Sequence, residues 1–513
     1  MNIPIRYCVR LFKRSIAIAV FWSFITYVCV VFDVFGYNNQ KVVTIVVNGG
    51  SKVSQMEELL QFHTGFYYKT STFYANNTAV LIYLADHRQN SKEWTCSSSN
   101  MTSTMESNAI ISRATNFSEH CYWMTHIARC LTVDNPTAFR LTVLNATESI
   151  TIPLERPDRK PRGVVSCFAP MFFEQRWQTI AMIHEMNAAW GVELQVHYVQ
   201  SAVGDTLELL QPFVDRGLLE IRALDIPDLG IELTKKFGYN PAQATEARHQ
   251  VISHQDCFFR YRESAEFIII TDPDEPLIPT HGNTIYSELK HWKRIRPFAS
   301  AFMFPRKIAY AVTSEKIDNF SLQDTVRSIQ ITDLEVVGKS VYNPRYTETP
   351  WIHWPGLNVT NVFNIPSSSC LLHVDYSYDR PHNITSFTRK LSDVVDLSVF
   401  NNTVINYAET AKTLRDLPDH TVDYAIAIGT CKKRLHILYQ YPRMSTVSLP
   451  CTTATSCEMP IRHINCTMTL RQYRKECILY NRLCAILPNK VQADFFKGTK
   501  GCAWGNLDHY GKQ

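Results

Sequence analysis

An apolar run that ends in three acidic residues constrains this chain more than any other feature. Residues 267–271 are uncharged and rich in isoleucine, and Asp272-Pro273-Asp274-Glu275, the acidic motif, follows directly. Such a run predicts a buried strand, and in open α/β sheets ligands bind just beyond the carboxyl ends of the strands. Carboxylates spaced D-x-D at that edge can hold a hard divalent cation that also binds phosphates. A lone D-x-D is also common in surface turns, so its neighbours must decide between the two interpretations.

Strand-like and helix-like segments alternate ahead of the acidic motif. Residues 164–168 are a buried strand candidate, residues 192–198 alternate as a second strand, and residues 218–222 are a third. Residues 174–189 place apolar side chains on one helical face, and residues 205–214 form a second helix candidate. This βαβαβ order predicts an α/β fold with a mostly parallel sheet and helices on both faces.

The N-terminus is typical of a signal anchor. Basic residues precede an uncharged run from Ile16 to Phe32. The run is close to the length that spans a bilayer, and no small-residue cleavage site follows it. The positive flank predicts that residues 1–15 stay cytosolic, that residues 16–35 cross the membrane and that the rest is lumenal. We therefore expect a single-pass type II membrane protein.

Glycosylation sequons agree with a lumenal location. All nine lie after the predicted anchor. They are Asn76, Asn100, Asn116, Asn145, Asn319, Asn358, Asn383, Asn401 and Asn465.

Cysteine usage agrees as well. The chain has 15 cysteines, and only Cys8 and Cys29 fall before or within the apolar run, which leaves an odd number beyond it. In an oxidising lumen most of these thiols pair, and at least one stays free or bridges two molecules. No C-x2-C pair occurs, so we expect disulfides rather than zinc sites.

Composition excludes one large class of function. A net charge of +5 with 19% charged residues is mild for 513 residues and lacks the basic footprint of a nucleic-acid binder. The hydrophobic content of 45% is ordinary for a globular protein.

Strand-like runs at residues 42–47, 79–84, 139–144 and 149–152 predict a β-rich region. A charged, proline-bearing linker at residues 155–163 ends this region.

An ordered set of motifs resembles glycosyltransferase family 92. Besides the acidic motif, the set comprises Phe172-Phe173-Glu174-Gln175-Arg176-Trp177, Gly191-Val192, Val196-His197-Tyr198, Asp256-Cys257-Phe258-Phe259-Arg260-Tyr261, Lys339-Ser340-Val341-Tyr342-Asn343-Pro344 and His353-Trp354. The resemblance covers about residues 160–380. The front part, with Phe66-Tyr67-Tyr68 and Asp86-His87-Arg88, is similar to that of nematode-type members.

The resemblance implies a Golgi enzyme with a GT-A-like domain. Its activity would be a metal-dependent, inverting transfer of galactose from UDP-galactose to a glycan acceptor, such as fucose on N-glycan cores, in a β linkage. The expected divisions are a cytosolic tail at residues 1–15, an anchor at 16–35, a β-rich stem or lumenal domain at 36–160, the transferase domain at 161–400 and a Cys-rich extension at 401–513.

The resemblance to the family also implies roles for individual residues of the site. Asp272 and Asp274 would contact Mn²⁺ (or Mg²⁺) and the UDP diphosphate or ribose, and Glu275 would orient the loop or meet the donor sugar. Arg176 is a candidate for binding a donor phosphate, with a structural ion pair as the equal alternative.

Two histidines are candidates to complete the site. His373 is the expected third metal ligand and His353 an expected donor contact, although a lone histidine is more often structural. Family members commonly have His-Tyr-Arg near the first of these, whereas this chain has His373-Val374-Asp375-Tyr376 and so lacks that arginine.

The general base and the exact function stay open. Inversion needs a group that takes the proton of the acceptor hydroxyl, and Asp333, Glu335 and Asp375 are equal candidates. The alternatives to a galactosyltransferase are a transferase of another UDP-sugar and a catalytically inactive glycan-binding membrane glycoprotein, in which the acidic motif is a Ca²⁺ site or a structural turn. Retention of all three acids argues against the inactive protein.

Overall fold

The computed structural model describes residues 58–502 with short internal gaps. The gaps are residues 89–92, 116–120, 144–146, 226–233, 236, 246–248, 358–360, 379–386, 420–422, 441–450, 452–456, 458, 461, 479–482 and 490–492. The predicted anchor at residues 16–35 and the strand-like run at residues 42–47 lie outside the described residues. In the described part of the chain, no helix is both long enough and apolar enough to cross a membrane.

The front of the described chain is made of strands. They are β1 (Glu58–Tyr68), β2 (Thr78–Asp86), β3 (Trp94–Ser99), β4 (Thr104–Asn108), β5 (Ile110–Arg113), β6 (Trp123–Leu131), β7 (Ala138–Val143) and β8 (Ile150–Thr151). The strand-like run at residues 79–84 lies on β2. Residues 139–143 of the second run lie on β7, with residue 144 outside the described residues, and residues 150–151 of the third run form β8.

Strands and helices alternate in the middle of the chain. The elements are β9 (Arg162–Phe168), α1 (Trp177–Ala189), β10 (Leu194–Val199), β11 (Ser201–Val203), α2 (Gln211–Asp215), β12 (Leu219–Ala223), α3 (Gln250–Tyr261), β13 (Ala265–Thr271), α4 (Ile285–Ile295), β14 (Ala301–Val312), α5 (Leu322–Arg327), β15 (Gln330–Tyr342), β16 (Val362–Asn364), β17 (Leu371–Ser377) and β18 (Phe387–Lys390). The tail adds α6 (Tyr407–Thr413), α7 (Asp423–Gln440), β19 (Cys466–Leu470), β20 (Tyr473–Ile478), β21 (Leu483–Pro488) and β22 (Asp494–Gly498).

Both predicted helices are shorter than expected. The helix predicted from residue 174 begins at Trp177, because the carboxylate of Glu174 accepts the backbone N–H groups of Gln175 and Arg176 and holds them in a turn. The helix predicted over residues 205–214 is a 3-10 turn followed by α2. Pro212 lies in the first turn of α2, where its missing N–H is tolerated, and it would break a helix that ran through it.

The central sheet is mixed, with the acidic motif at its middle strand. Its order is β12-β10-β9-β13-β15-β14-β16, and β17 and β18 pair with β14 and β15. β12, β10, β9 and β13 are parallel, whereas β15 is antiparallel to both β13 and β14. β14 and β15 are antiparallel neighbours, and the 17 residues that join them, 313–329, include α5.

Helices cover both faces of this sheet. Phe267 and Ile269 of β13 pack in one core with residues of α1 and α4, and Ile268 and Ile270 pack in a second core with residues of α3. Successive strand side chains point to opposite faces, so a strand that is covered on both sides is apolar throughout. This explains why the sequence of β13 has no polar alternation.

Strands of the tail complete the sheet at the front. The order of that sheet is β20-β21-β1-β2-β6-β5, and β21 is parallel to β1. Other tail strands, β19 and β22, form a separate sheet with β11.

Disulfides account for all but one of the described cysteines. The pairs are Cys96–Cys130, Cys121–Cys451, Cys167–Cys257, Cys431–Cys457, Cys466–Cys502 and Cys477–Cys484. Cys370 is free and buried, in agreement with the odd number of thiols expected beyond the anchor.

The described sequons lie mostly at the surface. Asn76, Asn319, Asn401 and Asn465 are exposed. Asn100 is half-buried and donates its side-chain amide to the carbonyl of Asp134 at 2.7 Å. The remaining four, Asn116, Asn145, Asn358 and Asn383, lie outside the described residues.

Candidate active site

Glu275 folds back and closes the loop formed by the acidic motif. Its carboxylate accepts the backbone N–H of Asp272 at 3.0 Å and the hydroxyl of Thr271 at 3.1 Å. The backbone N–H of Glu275 in turn donates to the carbonyl of Asp272 at 3.1 Å. Pro273 fixes its own φ within this turn. The loop is therefore held at the carboxyl end of β13 by local bonds.

Basic side chains surround the three acids. Lys339 Nζ lies 2.9 Å from Asp272 and 3.2 Å from Glu275, and Arg306 also pairs with Glu275. Arg176 reaches Asp274 at 2.7 Å. Lys339 is buried, with 2% of its side chain exposed, so its charge depends on these carboxylates. The sequence did not single out Arg306 or Lys339, although Lys339 opens one of the family-like motifs.

The pKa values of Asp274 and Glu275 are shifted in opposite directions. Burial raises the pKa of Asp274 above its usual value, against the opposing charges of Arg176 and His373. Burial alone would also raise the pKa of Glu275, but the charge of Lys339, then contact with His373, hold it well below its usual value. Glu275 is therefore an ionised, structurally bound carboxylate, whereas burial disfavours the charged form of Asp274.

His373 completes a compact group with Asp274 and Glu275. One ligand atom from each residue lies within 4.8 Å of the others. His373 Nδ1 is 3.8 Å from Asp274 Oδ1 and 3.6 Å from Glu275 Oε1. The backbone of β17 places His373 there, because Val374 donates its N–H to the carbonyl of Asp274 at 2.9 Å.

This group fits a divalent metal ion. Asp274 Oδ1 and His373 Nδ1 are buried and have no hydrogen-bond partner among the described residues. Two carboxylates and an imidazole are ligands that Mn²⁺ accepts, and Mg²⁺ accepts the carboxylates. Burial tends to lower the pKa of His373, but contact with Glu275 and the charge of Asp274 raise it to about 9. A metal ion would replace that proton as the compensating charge.

Asp272 lies outside this group. The predicted metal ligands were Asp272, Asp274 and His373, whereas the structure brings Glu275 together with the last two. Asp272 instead lies against Lys339, and its side chain is 27% exposed. It remains placed to meet a ligand from the solvent side of the loop.

Arg176 and His353 occupy different surroundings. Arg176 forms two contacts of 3.0 Å with the carboxylate of Glu174 besides its pair with Asp274, and 30% of its side chain is exposed. It therefore combines the structural ion pair with access to the site. His353 Nδ1 lies 2.7 Å from the carbonyl of Gly338, next to Lys339, and burial lowers its pKa.

The three candidate general bases lie on two strands, β15 and β17. Asp333 and Glu335 lie 3.9 Å and 4.0 Å from Lys307. Asp375 is exposed and follows His373 by two residues on β17, so both side chains project from the same face of that strand.

Comparison with known proteins defines the class and then the family. The fold and the site define an α/β protein with acidic and histidine side chains at the carboxyl ends of its strands, where ligands bind in such sheets. Residues 162–416 match the model of glycosyltransferase family 92. The chain belongs to glycosyltransferase family 92.

Curated relatives of the same family are found in Caenorhabditis elegans. Glycosyltransferase family 92 protein F13G3.3 is 24% identical over 316 residues, which cover 61% of this chain and 62% of the relative. Glycosyltransferase family 92 protein F55C10.4 is 27% identical over 300 residues, which cover 57% of this chain and 56% of the relative. The alignments thus span about three fifths of the length of these relatives.

Among solved structures, a crystal structure of S. aureus TarS (residues 1–349) is similar at 9% identity, covering 42% of this chain and 60% of that chain. The TM-score of 0.23 is too low for the likeness to support any statement about this chain.

Proposed function

We propose that the chain is a metal-dependent glycosyltransferase that takes its sugar from a nucleotide donor. The observation that carries the proposal is the group of Asp274, Glu275 and His373 beside the carboxyl end of β13, with two buried ligand atoms that have no hydrogen-bond partner among the described residues. Membership of glycosyltransferase family 92 supports the reaction class.

The residues around the loop have distinct roles in this proposal. Asp274, Glu275 and His373 would hold Mn²⁺ (or Mg²⁺), which supplies positive charge to the leaving diphosphate. Arg176 reaches solvent and offers a planar guanidinium to a donor phosphate. Asp272 meets the donor from the exposed side of the loop, and Lys339 and Arg306 keep the acids in place.

Asp375 is the general base that we favour for an inverting reaction. It shares a strand face with His373 and lies open to solvent, where an acceptor hydroxyl would arrive. Asp333 and Glu335 instead lie 3.9 Å and 4.0 Å from Lys307.

UDP-galactose is the donor and a β-linked galactoside on a glycan is the product in this proposal. The support is the ordered set of family-like motifs. Hexose donors differ by one hydroxyl, and a site rejects the wrong epimer strongly only when its buried polar groups are left unpaired.

A lumenal location in the Golgi, behind a single N-terminal anchor at residues 16–35, belongs to the same proposal. Six disulfides and exposed sequons support an oxidising, glycosylating compartment. Glycosidase treatment of the expressed protein should lower its apparent mass in steps, and an unchanged mass would contradict this location.

A donor competition tests the proposed specificity. The full chain is incubated with Mn²⁺, a fucosylated N-glycan acceptor and equal amounts of UDP-galactose, UDP-glucose and UDP-N-acetylglucosamine, and the products are identified by mass and linkage. We expect a β-galactoside as the main product. A clear preference for another donor, or an α linkage, would contradict the galactosyltransferase, and absence of any transfer or hydrolysis would favour the inactive glycan-binding protein.

A further inference from the structure

A lysine of the tail contacts the candidate active site. Lys432 lies on α7, beyond the end of the family match at residue 416. Its Nζ is 3.4 Å from Oε1 of Glu174, the acid that also holds Arg176. Lys432 Nζ additionally lies over the ring of Phe172, 5.4 Å from the centroid.

Independent contacts fix this part of α7 against the segment that carries Arg176. Tyr424 and Ile428 of α7 are buried in one apolar cluster with Phe172 and Phe173. Gln175 donates its side-chain amide to the carbonyl of Ala425 at 3.3 Å.

A disulfide holds α7 next to the lysine. Cys431 precedes Lys432 directly and pairs with Cys457. The position of Lys432 is therefore built by packing, a hydrogen bond and a covalent link.

The contacts form a row of alternating charges that ends in the site. Lys432 contacts Glu174, Glu174 contacts Arg176, and Arg176 contacts Asp274. Glu174 is buried, with 4% of its side chain exposed, so its charge is shielded by these two cations rather than by water. Lys432 offsets part of the negative charge of Glu174, so Arg176 does not have to offset all of it. The electrostatic potential beside Arg176 is therefore more positive toward Asp274 and toward a donor phosphate than it would be without Lys432.

We infer that Lys432 is a positioning residue of the donor site, so that the Cys-rich tail contributes to activity as well as to the fold. This inference rests on the proposed transferase function. Lys432 acts through Glu174 and Arg176 and need not touch the donor.

Charge-removing variants of two adjacent lysines test the inference in the full chain. Lys432→Met removes the contact with Glu174, whereas Lys433→Met removes the same charge from an exposed neighbour on the same helix. Lys432→Arg keeps the charge. The measurements are KM and kcat for UDP-galactose with Mn²⁺, and the Kd of UDP by calorimetry.

We expect Lys432→Met to raise both the donor KM and the UDP Kd about fivefold, the effect of one partly buried ion pair, with kcat changed by less than about twofold. Lys432→Arg should restore both values, and Lys433→Met should equal the wild type. The Tm of each variant is measured alongside.

Two outcomes would overturn the inference alone. One is an active wild type in which Lys432→Met and Lys433→Met give the same KM and Kd. The other is a Lys432→Met variant that loses kcat and Tm together without rescue by Lys432→Arg, since that result describes a structural lysine. A wild type that neither turns over a UDP-sugar nor binds UDP would overturn the proposed function, and this inference with it.

Discussion

His373 and Asp274 face each other across 3.8 Å, between Nδ1 and Oδ1, and neither atom has a hydrogen-bond partner among the described residues. Buried polar atoms without a hydrogen-bond partner are uncommon and need a physical reason, which the proposed metal ion supplies. With Glu275 beside them, the pair defines the metal position on which the proposed function depends.

Lys339 should be essential for the stability of the loop. Its buried ammonium serves both Asp272 and Glu275, so Lys339→Met leaves two carboxylates without that charge. We expect the free energy of unfolding to fall by about 3–5 kcal/mol, as when one partner of a buried ion pair is removed. Urea unfolding measures the change. The exposed Lys316→Met serves as the control, and an equal, small effect in both variants would refute the role of Lys339.

Buried histidines should make the protein less stable in acid. Burial lowers the pKa of His184, His249 and His254 to about 3. Each stays neutral in the folded protein but takes up a proton near pH 6.5 when unfolded, so between pH 6.5 and 3 the unfolded state binds more protons. Stability is therefore lost as pH falls through this window, by about 1.4 kcal/mol per pH unit for each histidine.

His249→Asn isolates one of these protons. His249 has a φ of 63°, a left-handed conformation that asparagine tolerates. The variant should lose stability less steeply than the wild type between pH 6 and 5, measured by urea unfolding at each pH. A difference between the two proteins that does not change with pH would contradict the assignment.

Among the described cysteines, only Cys370 should react with iodoacetamide when the protein is unfolded without a reductant. Burial raises its pKa to about 11, which protects it from iodoacetamide in the folded state. We expect no label on Cys370 under native conditions and one label after unfolding without reductant, detected by peptide mass spectrometry. Labelling of any of the twelve paired cysteines in that sample would contradict the disulfide pattern.

The sequence predicted the centre of the fold better than its edges. The strand before the acidic motif and the βαβ order were predictable because apolar runs of fixed period determine local structure. The pairing of β21 with β1 was not, because it joins residues more than four hundred positions apart and no local pattern encodes such a contact.

The site was predictable only in part for the same reason. Asp274 lies in the loop after β13 and His373 lies on β17, and the family resemblance, rather than spacing, linked them. Lys339 and Arg306 reach the acids from neighbouring strands of the sheet, and Lys432 comes from the tail, so each depends on tertiary packing that no motif reveals.

Turnover with and without metal tests whether Asp274, Glu275 and His373 hold a catalytic metal ion. UDP release from UDP-galactose is measured for the full chain after EDTA treatment and again after Mn²⁺ is restored, with Asp274→Asn, His373→Gln and the exposed Asp324→Asn as the control. We expect turnover to vanish in EDTA, to return with Mn²⁺ and to fall by orders of magnitude in the first two variants, while their Tm stays near that of the control. Equal turnover in EDTA, or full activity of Asp274→Asn, would contradict this expectation.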